Sequence, residues 1–128
     1  MDIFDNLILG LSVAIQPINI VYLLIGVMVG MFVGIIPAFG PAAGLAILLP
    51  ITFGMEPTGA VMMLAAIYYG AMYGGTITSI LLNTPGESAT IASTFDGYPL
   101  AQHGRAGPAL VIQAVASFVG GTLGVILI

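Results

Sequence analysis

Tyr68-Tyr69-Gly70-Ala71-Met72-Tyr73-Gly74-Gly75-Thr76-Ile77-Thr78-Ser79-Ile80-Leu81-Leu82-Asn83-Thr84-Pro85-Gly86 begins as the end of an apolar run and stops in a helix-breaking cluster. At about 100° per residue, Tyr69, Tyr73, Thr76, Ser79 and Asn83 share one helical face, with Thr78 on roughly the other side. Lipid cannot satisfy hydroxyls and amides, so this stripe must face protein, water or ligand.

The surrounding chain makes lipid the relevant solvent. Its 128 residues are 59% hydrophobic and 5% charged, with a mean hydropathy of +1.19. A soluble domain carries about 25% charged residues, so the class is an all-α, polytopic helical membrane protein. The net charge of −4 rests on Asp2, Asp5, Glu56, Glu87 and Asp96 against Arg105, with no lysine. That argues against a nucleic-acid partner, which needs clustered cations, and against a polybasic lipid anchor. The absence of cysteine excludes disulfides and thiolate sites. The start, Met1-Asp2-Ile3-Phe4-Asp5, lacks a positive region, so no cleavable signal peptide is expected.

Upstream of the central stretch, residues 1–17 form an amphipathic helix. Asp2, Asp5, Asn6, Ser12 and Gln16 lie opposite Ile3, Phe4, Leu7, Ile8, Leu11 and Ile15. It reads either as an interfacial helix or as the start of a longer span. Residues 18–36 are the first clear span, with Gly26, Gly30 and Gly34 forming a smooth packing stripe. Two prolines and three glycines between Gly34 and Gly44 forbid one straight helix. Residues 37–53 therefore read as a broken or re-entrant segment, with Pro41 opening a short helix whose N-terminus presents free N–H groups to an anion. Residues 57–83 exceed about 30 Å of hydrocarbon as one helix, and Gly74-Gly75 is the expected break.

Downstream, residues 84–105 read as the polar loop, with turns at Pro85-Gly86 and at Asp96-Gly97-Tyr98-Pro99. Arg105, the sole cation, favours a cytoplasmic face for it. Residues 106–128 are the last span. The abrupt apolar finish at Gly124-Val125-Ile126-Leu127-Ile128 points to a piece of a longer chain.

No enzyme is expected. His103 is the lone histidine, in the polar loop; Ser79 has no base near it in sequence; Asp96 lacks a second intramembrane aspartate. One histidine and no cysteine argue against a transition-metal site. An oxygen-ligand site for a monovalent cation is open to Asn83, Thr84, Thr76 and carbonyls freed at a helix break. Two glycine-proline breaks, Pro37–Gly44 and Asn83–Gly86, one with a polar stripe leading into it, favour a transporter. The alternative is a non-transporting membrane scaffold or small channel subunit, in which glycine and proline serve packing and kinks.

Gly34-Ile35-Ile36-Pro37-Ala38-Phe39-Gly40-Pro41, Tyr68 to Thr76, Ile80-Leu81-Leu82-Asn83-Thr84-Pro85-Gly86, Asp96-Gly97-Tyr98-Pro99-Leu100-Ala101 and Gly104-Arg105-Ala106-Gly107 occur in one order. That series resembles the N-terminal portion of the large membrane subunit of the tripartite tricarboxylate transporters, the TctA family, from about Leu7 to Gly121. The resemblance implies a multi-pass protein of the bacterial inner membrane and a subunit several times longer than this chain. It implies uptake of citrate or related carboxylates coupled to a cation, sodium or proton, with no other cofactor. It also implies a small membrane subunit and a periplasmic solute-binding protein as partners. The family pattern carries glycine where this chain has Ala38, which gives up easy access to positive φ. On this reading the carboxylate sits on backbone N–H groups at Gly40, Ala42 and Ala43 and after Gly86. Thr76, Ser79, Asn83 and Thr84 add side-chain hydrogen bonds, and Asn83 and Thr84 are the candidate ligands for a monovalent cation.

Overall fold

Pro17 sets the first angle of the chain. The structure, a computed structural model, describes residues 2–128; Met1, the first residue of the expected 1–17 helix, lies outside the described residues. Helix α1 (Ile3–Ala14) exposes both its apolar and its polar faces. Pro17 has no N–H to give the carbonyl of Val13, so α1 cannot run on into α2 (Pro17–Ile35). The Asn19 side-chain amide donates to that carbonyl instead, at 2.8 Å. Asn19 is 2% exposed, lodged at the foot of the bundle beside Gly59.

Helix α4 (Pro57–Leu82) is the axis of the fold. Pro57 opens it and a Glu56 carboxylate oxygen accepts from the Gly59 N–H at 3.4 Å. Helix α2 lies against it in the same direction. Gly26 faces Met63 and Ala66, Gly30 faces Ile67, and Gly34 faces Ala71. From the other side Gly70 faces Val27 and Gly74 faces Met31. A methyl group on any of these glycines would overlap backbone of the other helix, so the stripes act as one seam.

Parallel neighbours need a return path. It is α3 (Gly40–Leu48) followed by a 3₁₀ turn over Leu49–Gly54. Gly44 fits over Val33, level with Gly70 and Ala71 of α4. Gly40, one turn earlier, is therefore level with Gly74. The α2–α3 hairpin thus has its tip, Ile36–Phe39, well short of the end of α4.

Helix α4 does not break at Gly74-Gly75, contrary to the expectation above; it is continuous to Leu82. Both glycines are spent on close contact, Gly74 on α2 and Gly75 on Gly86. Tertiary packing outweighs their poor helix propensity, about 1 kcal/mol each.

The helix ends at Asn83, in the left-handed region at φ 55°, and the Thr84 N–H returns to the Thr78 carbonyl at 3.4 Å. The chain then runs back along α4 until Gly86 meets Gly75. Four extended residues reach about 13 Å, enough for the roughly 10 Å between Leu82 and Gly75.

Most of the expected 84–105 loop is helical. A 3₁₀ turn over Ser88–Ile91 leads into α5 (Ala92–Leu100), then a π-turn over Ala101–Arg105 bends at His103 and Gly104 (φ 74°) into α6 (Ala106–Leu127). Gly97, read as a turn residue, is there because Ile80 packs where its Cβ would sit, 2.6 Å from Cγ1. The His103 ring nitrogen Nδ1 pairs with the Pro99 carbonyl at 2.7 Å and holds the bend. Helix α6 descends along α4, where the Tyr73 hydroxyl donates to the Leu110 carbonyl at 3.3 Å.

Pro17–Ile35, Pro57–Leu82 and the run Ser88–Leu127 are long and apolar enough to cross a membrane. The bend at Gly104 leaves α6 as the membrane-length arm of the third. Leu24, Met28 and Phe32 of α2 and Val115 and Phe118 of α6 point outward, as a lipid-facing surface requires.

Ala38 adopts φ 65° at the hairpin tip. This L-residue takes the left-handed region although it lacks glycine's freedom, at a cost of about 1–2 kcal/mol. Ala38→Gly is expected to raise the thermal unfolding midpoint of the purified protein, a gain of up to about 1 kcal/mol after the added freedom of the unfolded chain. A lowered midpoint would mean that the turn is not held in this conformation.

Candidate functional site

The C-terminal end of α2 and the turn after α4 meet at the glycine pair of α4: Gly34 packs on Gly74, and Gly86 lies on Gly75. The Gly34 carbonyl lies 3.1 Å from where a Cβ on Gly86 would stand, and the Gly75 Cα lies 2.5 Å from it. The junction therefore joins the C-terminus of α2 to the start of the helical segment after Gly86, roughly 10 Å inside the end of α4.

Beside the junction, α4, α5 and α6 enclose a cleft of about 330 Å³. Its polar lining comes from Tyr73, Thr76, Thr90, Ser93, Gln113 and Ser117. Several of these groups already hold local partners. Thr76 donates to the Met72 carbonyl at 3.1 Å, Thr90 to the Glu87 carbonyl at 2.9 Å, and Gln113 to the Ser117 hydroxyl at 3.4 Å. Hydroxyls can rotate away from such bonds, so the lining offers both donors and acceptors to a small polar guest. The volume is at the small end for ligand pockets.

The residues singled out in the sequence divide into four groups. Gly86 is buried in the junction and Thr76, 4% exposed, borders the cleft. Gly40, at φ 66°, and Ala43 are half-buried, with Ala42 exposed beside them in the first turn of α3. Asn83 and Thr84 sit apart from these, exposed at the end of α4, where Thr84 donates to the Leu82 carbonyl at 3.2 Å. Ser79 is wholly enclosed at 0% exposure, and its hydroxyl donates to the Gly75 carbonyl at 2.8 Å. Thr78 donates to the same carbonyl at 3.0 Å. The polar stripe is thus split: Tyr69, Tyr73 and Thr76 face the cleft, while Ser79 satisfies its hydroxyl on the helix backbone.

Thr90, Ser93, Gln113 and Ser117 were missed. Their signal was present: Gln113 and Ser117 are one turn apart within an apolar span, where an uncompensated polar pair marks a protein-facing or wet surface. Among the described residues no group of three or more histidine, cysteine, aspartate or glutamate side chains is placed to hold a metal ion.

Three membrane-length apolar runs, with a turn folded back into the bundle, are the architecture of a polytopic helical membrane protein. The chain belongs to the tripartite tricarboxylate transporter TctA family, whose sequence profile matches residues 20–128. It is 48% identical, over all 128 of its residues, to an uncharacterized 52.8 kDa protein in the TAR-I ttuC′ 3′ region of Agrobacterium vitis. The chain spans about a quarter, 26%, of that relative's length. No solved structure matches it.

Proposed function

We propose that this chain is part of the large membrane subunit of a cation-coupled transporter that takes up citrate or a related carboxylate across the bacterial inner membrane. A small membrane subunit and a periplasmic solute-binding protein would deliver the substrate. The observation that carries this reading is the approach of Gly34, at the end of α2, and of Gly86 to Gly75. First-turn N–H groups of α3, at Ala42 and Ala43, and those following Gly86 offer partial positive charge to an anion. Partial charges bind a carboxylate without holding it irreversibly. Thr76 supplies a hydroxyl from the cleft, and Asn83 and Thr84 line the route from the end of α4. Ser79 contributes only by packing.

The test is uptake of labelled carboxylates by cells expressing the full-length subunit with its partners. Asn83 is in the left-handed region, which costs alanine about 1 kcal/mol more than glycine. Both Asn83→Gly and Asn83→Ala are expected to reduce uptake severalfold, through loss of a hydrogen bond worth about 1 kcal/mol to the carboxylate as it passes the end of α4. Only the alanine variant should also lose stability. Wild-type uptake in Asn83→Gly would remove the Asn83 side chain from the site. Absence of carboxylate uptake in the wild type would overturn the transport reading.

A further inference from the structure

Asp96 is a charged group set in an apolar run. It lies on α5, inside the membrane-length stretch Ser88–Leu127. A carboxylate in such a stretch is costly unless water or a ligand reaches it. The side-chain hydrogen bonds of α5 belong to Thr94, which donates to the Ile91 carbonyl at 2.6 Å, and to Tyr98, which accepts from Gln102 at 2.6 Å. Among the described residues, none engages Ser93 or the Asp96 carboxylate. The next cation along the chain, Arg105, lies beyond the bend at Gly104.

Asp96 lines a cavity of about 260 Å³ between α4, α5 and α6, whose other polar side chains are Ser93 and Gln113. Ser93 and Asp96 are three apart on α5, so they share one face with Cβ atoms about 5–6 Å apart. Gln113 borders the same cavity from α6. Its amide N–H donates to the Ser117 hydroxyl at 3.4 Å, so its carbonyl oxygen is left for another partner. Ile80 and Ile112 supply apolar wall.

Ser93 and Gln113 also line the cleft that holds Thr76, so the two spaces adjoin across them. Gly97 packs on Ile80, two residues before the end of α4, which puts Asp96 at the outer end of this groove. Thr76 lies about 6 Å deeper along α4 than Ile80. The groove is acidic at its mouth and lined by hydroxyls further in.

A carboxylate, a hydroxyl and an amide carbonyl are oxygen ligands for a hard cation. One negative charge suits a monovalent ion, whereas divalent ions gather several carboxylates. The same charge repels a carboxylate, so this end of the groove is not the anion's seat. The cavity is many times the roughly 30 Å³ share of one water, so an ion there keeps part of its hydration shell. Such a seat selects charge over size.

We propose that this cavity binds a partly hydrated monovalent cation at Asp96, with Ser93 and Gln113 as further oxygen ligands. The site is separate from Asn83 and Thr84, which stand exposed at the end of α4. Its place in the groove leading to Thr76 makes it the coupling ion's entry point; that role, unlike the site itself, rests on the transport reading.

The experiment uses the full-length subunit in phosphatidylcholine nanodiscs, where both membrane faces are accessible. It carries a single cysteine at Ala92, which lines the cavity outside the ligand set. Residues 1–128 contain no native cysteine, and any elsewhere in the subunit are replaced by serine. The rate of modification by a cationic methanethiosulfonate is measured in sodium, potassium and N-methylglucamine chloride at equal ionic strength. Sodium and potassium should each slow the reaction severalfold relative to N-methylglucamine, and Asp96→Asn should abolish that protection. Should Asp96→Asn fail to fold, Gln113→Ala should raise the sodium concentration for half-protection severalfold, and an unchanged value would overturn the ligand set. A rate indifferent to sodium overturns the site, as does protection that survives Asp96→Asn. A cysteine that never reacts would mean a dry cavity and overturn it too. Protection by sodium but not by potassium would contradict the partly hydrated seat. Sodium protection in a subunit that moves no carboxylate would leave the site standing and end the transport reading.

Discussion

Gly34→Val is expected to abolish accumulation of folded protein. A Cβ at Gly34 would overlap the backbone of Ala71, including its carbonyl. Backbone in the middle of a helix cannot swing aside as a long side chain can, so α2 would have to leave α4. The seam runs through Gly26, Gly30, Gly34, Gly70 and Gly74, and separating it at one point opens its neighbours. Overpacking of a tight interior costs about 1–3 kcal/mol, and a clash with immovable backbone belongs at or beyond the upper end. Gly10→Val is the matched control, since nothing lies within 4 Å of a Cβ there. Yield and monodispersity after detergent extraction report the difference. Wild-type yield for Gly34→Val would show that α2 and α4 do not touch along this seam.

Gly86→Val should act differently, on function more than on insertion. Its Cβ would stand 2.5 Å from the Gly75 Cα. Gly86, however, belongs to a tip reached by extended chain and can retreat, where α2 cannot. The bundle should therefore insert with the tip displaced. A penalty of about 1–3 kcal/mol on the closed arrangement lowers its population about 5- to 150-fold. Uptake should fall by a similar factor while membrane expression stays near wild type. If Gly86→Val transports normally, the contact with Gly75 plays no part in the transport cycle.

The sequence carried the class of the protein in its composition and the positions of its interruptions in Pro37–Gly44 and Asn83–Gly86. It left the use of individual glycines undecided, because one residue type serves turns, left-handed positions and close contacts. Gly26, Gly30 and Gly34 were legible as a packing stripe, but their partners Gly70 and Gly74 were not, being distant in sequence. Gly74-Gly75 looked like a break and is a contact surface. Gly97 looked like a turn and makes room for Ile80. Ala38 runs the other way: it lacks glycine's freedom and still takes positive φ, because the hairpin around it dictates the turn.

The candidate site was legible only in parts. Thr76 borders the cleft and Gly86 lies against Gly75, while Asn83 and Thr84, on the same polar run, are exposed apart from both. Ser79 looked available on a helical wheel and is enclosed, since a hydroxyl in an apolar helix finds the carbonyl one turn back. The fold-back of residues 84–86, which brings Gly86 to Gly75, is a long-range event that no local pattern encodes.

The most direct measurement is an experimental map of the full-length subunit in a lipid nanodisc at saturating citrate. The account predicts carboxylate density level with Gly75, between the first turn of α3 and the N–H groups following Gly86, with Gly34, Gly75 and Gly86 in contact. Carboxylate density remote from that level, or Gly34 and Gly86 standing apart from Gly75 in every class of particle, would contradict it.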